Sequence, residues 1–121
     1  MKSYNMGDLI RDKSYSFALR MVRLSEYLNK EKREYVLSRK ILDSGTNIGL
    51  FVEEGRQGEH RADFIQKYSV ANKEAFKTNF LLRLLRDSEQ VTLDQSESLI
   101  TDCEELQKLL ITSLKTAKGK E

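Results

Sequence analysis

Residues 61–86 read RADFIQKYSVANKEAFKTNFLLRLLR, and their spacing decides the fold. Phe64, Tyr68, Ala71, Ala75, Thr78, Leu82 and Leu85 follow one another in alternating steps of four and three. Side chains spaced this way share one side of an α-helix. The near-heptad repeat is the seam of helices that pack almost parallel or antiparallel. Asp63 near the start and Arg83 and Arg86 near the end complement the helix dipole. The spacing predicts a helix over 61–86, closed by the turn Asp87-Ser88-Glu89-Gln90.

The flanking segments carry the same signal. Upstream, Phe17, Ala18, Met21, Leu24 and Leu28 form a stripe, with Asp12 placed to cap a helix that runs to about residue 29. Residues 1–11 read as a loose lead-in. The polar run Asn29-Lys30-Glu31-Lys32-Arg33 reads as a connection. A second helix is expected from about residue 34 to 54, with the stripe Leu37, Ile41, Ser44, Gly45, Ile48, Val52 and Gly55. Glycine inside a helix costs about 1 kcal/mol relative to alanine. Gly45 and Gly49, four apart and beside Ser44, therefore read as a notch for a closely packed neighbour. Gly55 or Gly58 suits a left-handed cap after it. Downstream, Thr92 and Gln95 make a capping box. It opens a fourth helix whose seam is Leu99, Cys103, Leu106, Leu110, Ser113 and Ala117, with a tail, 118–121, expected to fray. Four helices joined by short turns predict an all-α, antiparallel, up-down-up-down four-helix bundle spanning 1–121 as one domain.

Composition agrees. The chain has 121 residues, 39% hydrophobic and 33% charged, with no proline or tryptophan and six glycines. Absence of proline favours long uninterrupted helices. No apolar run reaches the roughly 18–20 residues that cross a bilayer, and the start lacks the apolar stretch of a signal peptide. The one cysteine, Cys103, has no internal disulfide partner, so a cytoplasmic, reducing setting is expected.

The residue types for chemistry are sparse. Di-iron bundles need inward carboxylates and paired Glu-x-x-His motifs, whereas this chain has one histidine, His60, in a turn. One histidine and one cysteine do not make a structural zinc site. Gly45-Thr46-Asn47-Ile48-Gly49 lies within a helix and lacks the Lys-Ser/Thr of a phosphate-binding loop. Glu53, Glu54 and Glu74 are expected to pair with Arg or Lys on adjacent helices. Ser44, Asn47 and Asn79, close to the seams, read as register-fixing polar groups, or alternatively as a small polar pocket. No catalytic residue, metal, cofactor or small-molecule substrate is assigned.

Two surfaces remain. Ile65, Phe76 and Phe80 lie roughly 80–140° from the seam of their helix at about 100° per residue, and Leu81 and Leu84 add apolar area beyond it. Ile65, Phe76, Phe80 and Leu84 are therefore the expected homo-oligomer interface, with Leu50, Ile100 and Ile111 next in line. The second surface is basic. Residues 1–40 hold ten Lys/Arg and five Asp/Glu, a balance of +5 in a chain of net charge +2. Arg11, Lys13, Arg20, Arg23, Arg39 and Lys40 would form a face for nucleic acid or a ribonucleoprotein.

A family resemblance adds to this. Ile41-Leu42-Asp43-Ser44-Gly45-Thr46-Asn47-Ile48-Gly49, followed by Glu53-Glu54-Gly55, resembles the second helix of the bacterial four-helix-bundle proteins called 23S rRNA-intervening sequence proteins. Ala62-Asp63-Phe64-Ile65-Gln66-Lys67, Ala71-Asn72-Lys73-Glu74-Ala75 and Leu82-Arg83-Leu84-Leu85 resemble its third helix. Phe80-Leu81 departs from the Tyr-Trp that relatives often carry there. The resemblance spans about residues 8–117. It implies an antiparallel bundle, a ring-shaped homopentamer and no enzyme activity. A related accessory protein of diversity-generating retroelements implies a reverse transcriptase or nucleic acid as a further partner.

Overall fold

The computed structural model describes residues 3–119 and consists of four α-helices: α1 (Met6–Glu31), α2 (Val36–Arg56), α3 (Arg61–Asp87) and α4 (Leu93–Lys118). Each helix packs on its neighbours in the chain, and α1 returns to α4. The backbones of the diagonal pairs, α1 with α3 and α2 with α4, do not come within 8 Å of each other at their Cα atoms. This is the expected up-down-up-down bundle. Its core is the set of inward stripes: Ile10, Phe17, Met21, Leu24 and Leu28 of α1, and Ile41, Ile48 and Val52 of α2. Tyr68, Ala71, Ala75, Leu82 and Leu85 of α3 meet Leu99, Cys103, Leu106 and Leu110 of α4. Burying a large apolar side chain contributes about 1.5–3 kcal/mol, so these layers dominate stability.

The first helix begins earlier than its sequence suggests. Asn5 is extended, its Oδ1 accepts the N–H of Asp8 at 3.0 Å, and Asp8 Oδ2 accepts the N–H of Asn5 at 3.1 Å. This reciprocal cap starts α1 at Met6, so residues 6–11 are helical and Ile10 extends the buried stripe by two turns. Asp12 caps nothing. It accepts the phenol of Tyr4 at 2.7 Å and the Nε of Arg11 at 2.9 Å.

The turns are built by side chains and by two left-handed non-glycine residues. Glu34 caps α2 from outside, its carboxylate accepting the N–H groups of Ser38 at 2.9 Å and Val36 at 3.3 Å. Arg33 (φ 51°) and Glu89 (φ 62°) take the left-handed conformation. At Glu89 the amides of Glu89 and Gln90 return to the carbonyls of Arg86 (3.1 Å) and Leu85 (2.9 Å), which closes α3 in a Schellman-type turn. No glycine among the described residues has positive φ. Gly55 and Gly58 are therefore not left-handed caps. Gly55 gives room to a ring: a Cβ there would lie 2.8 Å from Cδ1 of Tyr68. The Thr92–Gln95 capping box forms as expected, with bonds of 3.1 and 2.8 Å.

The notch on α2 faces two neighbours. A Cβ on Gly45 would lie 2.3 Å from Cγ of Met21 on α1, whereas one on Gly49 would meet the Ser14 carbonyl at 3.4 Å. Ser44 turns the other way, and its hydroxyl pairs with that of Thr78 on α3 at 2.9 Å. On α4 the buried stripe ends on Leu114, a step of four from Leu110, and leaves Ser113 and Ala117 only half-buried.

Candidate functional site

Three of the four residues of the expected interface share one exposed stripe. Phe76, Phe80 and Leu84 lie outside the core and are exposed, the two rings at 53% and 54%. They sit four residues apart and so make one continuous stripe on the outer side of α3. Arg83 lies over the Phe80 ring, 5.7 Å from its centre, and is held by Asn79 at 3.0 Å. Ile65 does not belong to this stripe. It is half-buried and packs against the core, as Phe64 does. Leu81 is buried as well. Ile100 packs on the core and Ile111 is half-buried, so neither forms a second face; Leu50 is exposed.

A second exposed apolar stripe was not among the expected surfaces. Tyr15, Leu19 and Val22, spaced four and three, point outward from α1. The signal in the sequence is this repeat, set two residues off the core stripe beginning at Phe17. Two residues rotate a helix by about 200°, so the repeat faces away from the core.

The six basic residues do not gather on one face. Arg11 is tied to Asp8 (3.3 Å) and Asp12 (2.9 Å) on its own helix. Lys13 reaches Glu105 at 2.8 Å, and that carboxylate holds the ammonium pKa above its ordinary value. Arg20 pairs with Asp102 and bonds Ser98 Oγ at 3.0 Å. Lys13 and Arg20 thus clamp α1 to α4, the most loosely joined helix pair of the bundle. Arg23, Arg39 and Lys40 are exposed, but Arg23 borders the α1–α4 groove and Lys40 the α2–α3 side.

The polar groups near the seams join helices. Asn79 Nδ2 donates to Gln107 Oε1 at 3.1 Å, linking α3 to α4. Asn47 donates to Glu74 at 3.5 Å, linking α2 to α3. Lys67 of α3 pairs with Glu54 of α2 at 3.4 Å, as expected, whereas Glu74 pairs within its own helix, with Lys77 at 3.2 Å. Ser44, Asn47 and Glu74 border an open pocket of about 440 Å³ between α2 and α3, together with Asp43, Lys77 and Phe80. Asn79 is not part of it. Cys103 is fully buried, its Sγ 3.3 Å from the Ala75 carbonyl, and burial pushes its thiol up to about 12. A thiol this protonated is a poor nucleophile.

Among the described residues no three His, Cys, Asp or Glu side chains converge as a metal site. No helix is long and apolar enough to cross a membrane.

Fold and surfaces define a sequential antiparallel four-helix bundle that presents two unpartnered apolar stripes. A family model described as 23S rRNA-intervening sequence protein matches residues 9–112. This chain belongs to that family. It is also similar to the crystal structure, at 1.70 Å, of a protein of unknown function from the S23 ribosomal protein family of Bacteroides thetaiotaomicron. The two are 43% identical with a TM-score of 0.90, over 92% of this chain and 99% of that one. Comparison with curated proteins gave no match.

Proposed function

We propose that this chain is a non-catalytic bundle that associates with copies of itself and acts as a rigid scaffold. The observation that carries the reading is the stripe Phe76, Phe80 and Leu84. Two half-exposed phenylalanines and a leucine in register on one helix form an apolar patch of the kind that marks a protein–protein contact. Four caps and turns fix the helices, and the core is filled without these side chains. The stripe is therefore free for a partner at no cost to the fold. The family resemblance implies a ring of five as the assembled form. The proposed setting is the cytoplasm, where a lone buried thiol such as Cys103 stays reduced. Binding of nucleic acid or a ribonucleoprotein through Arg11, Lys13, Arg20, Arg23, Arg39 and Lys40 has weaker support, because the first three are engaged by carboxylates of the bundle itself.

Light scattering of the purified protein at micromolar concentration tests the reading. The expected mass is a multiple of the 14.1 kDa chain. A mass equal to one chain, unchanged on concentration, overturns it.

A further inference from the structure

Ser44 and Asn47, the polar residues beside the seam of α2, open onto the pocket of about 440 Å³ between α2 and α3. Ser44, Glu74 and Leu81 are its buried floor. Its rim is exposed: Lys40 and Asp43 on α2, Lys77 and Phe80 on α3. The volume falls in the range of about 300–1,000 Å³ usual for small-ligand sites.

Glu74 is poorly served for a buried charge. It is 9% exposed, and a carboxylate so far from water needs strong donors. Charge-assisted bonds to a carboxylate run about 2.7–2.9 Å. Here Oε1 takes only long ones, from Asn47 Nδ2 at 3.5 Å and Lys77 Nζ at 3.4 Å. Oε2 receives no hydrogen bond among the described residues, although the Lys77 ammonium stands 3.2 Å away as an ion pair. The hydroxyls next to it are engaged elsewhere: Thr78 Oγ1 lies 2.9 Å from Ser44 Oγ and 2.8 Å from the Glu74 carbonyl. Lys77 sits three residues on in the same helix, with its side chain 66% exposed. A pairing of that kind is weak and easily given up.

We infer that this pocket is a binding site for a guanidinium group on a short aliphatic chain, seated on the Glu74 carboxylate in place of Lys77. A guanidinium presents two N–H groups in one plane and meets both carboxylate oxygens at once. The Lys77 ammonium is a point charge tethered to the same helix and does not. Once Lys77 turns out into water, the pocket keeps two acids, Asp43 and Glu74, against one base, Lys40, so it selects a cation. Leu81 in the floor and Phe80 on the rim supply apolar surface for the chain of the ligand. The inference does not rest on self-association, since every wall of the pocket comes from one chain.

Titration of the ¹⁵N-labelled protein with butylguanidinium, followed by amide chemical shifts, tests it. The expected result is saturable binding of one molecule per chain, with shifts centred on Asn47, Glu74 and Lys77. Butylammonium, with the same chain and charge, should bind at least about threefold more weakly, because it lacks the planar fork. Lys77 is the internal competitor, so Lys77→Met should tighten binding by about two- to fivefold. Glu74→Gln should weaken it by at least about tenfold. Asp43→Asn, at an exposed position, should weaken it by about two- to threefold and keeps the test alive if Glu74→Gln lowers the helicity. Absence of saturable binding to both the wild type and Lys77→Met overturns the site. So does a Lys77→Met variant that binds more weakly than the wild type, which would make Lys77 a wall of the site and not its occupant. Unchanged affinity in Asp43→Asn, or in a Glu74→Gln variant of full helicity, overturns it too, and butylammonium bound as tightly as butylguanidinium overturns the choice of ligand.

Discussion

Phe76→Glu combined with Phe80→Glu is expected to dissociate the proposed assembly into 14.1 kDa monomers without unfolding them. Phe76 and Phe80 are 53% and 54% exposed in the isolated bundle, so about half of each is available to the proposed partner copy. Full burial of a phenylalanine is worth about 1.5–3 kcal/mol, so covering the exposed halves contributes about 1 kcal/mol per ring. Glutamate in their place also forces a carboxylate into an apolar contact, and central interface residues cost 2 kcal/mol or more when removed. The pair should weaken each contact by at least about a hundredfold. The fold should be indifferent to it. Neither ring belongs to the core, glutamate is a good helix former, and the Arg83 contact to the Phe80 ring is a surface interaction worth about 0.5–1 kcal/mol. Size-exclusion chromatography with light scattering checks the mass, and thermal unfolding followed by circular dichroism checks the bundle.

The second large effect concerns the α1–α2 contact. Gly45→Val should destabilise the bundle by about 3 kcal/mol, the upper end of what overpacking a core costs. The new Cβ alone would lie 2.3 Å from Cγ and 3.1 Å from Cβ of Met21. These are atoms near the Met21 backbone, which rotation of the side-chain end does not clear. The valine methyls add to the clash. Gly49→Ala, one helical turn along, should behave oppositely. Its Cβ meets the Ser14 carbonyl at an ordinary 3.4 Å, and replacing a helical glycine by alanine gains up to about 1 kcal/mol. Urea unfolding of both variants beside the wild type measures the contrast. Equal effects of the same sign would show that the two glycines are not differently packed.

The helices are legible from their apolar period, and α4 also from its opening cap. The seam from Tyr68 to Leu85 and the Thr92–Gln95 box needed no tertiary information. The start of α1 is hard to read because its cap, Asn5 with Asp8, uses a short carboxylate at the third position and encloses Gly7, a poor helix former. The glycines were legible as close packing but not in direction. Nothing local tells Gly45 to face Met21 while Ser44 faces Thr78; the crossing of the helices decides that. The basic residues failed as a single face for the same reason. Lys13 and Arg20 are neutralised by Glu105 and Asp102, far away in sequence, and that register exists only once α1 lies along α4. Ile65 was misplaced because an angular offset from a seam does not say how much of a helix its neighbours cover. Tyr15, Leu19 and Val22 were readable all along as a second four-three repeat on α1.

The central claim is that Phe76 and Phe80 are covered by another copy of the chain. Hydroxyl-radical footprinting with mass spectrometry, run on the wild type across a dilution series, tests it at those two rings. Tyr35, exposed to 59% and outside both stripes, serves as the internal reference. The expected result is that Phe76 and Phe80 are shielded relative to Tyr35 at micromolar concentration and gain reactivity as the protein is diluted into monomers. Phenylalanines that react at every concentration as fast as their half-exposure in the single bundle allows would contradict it.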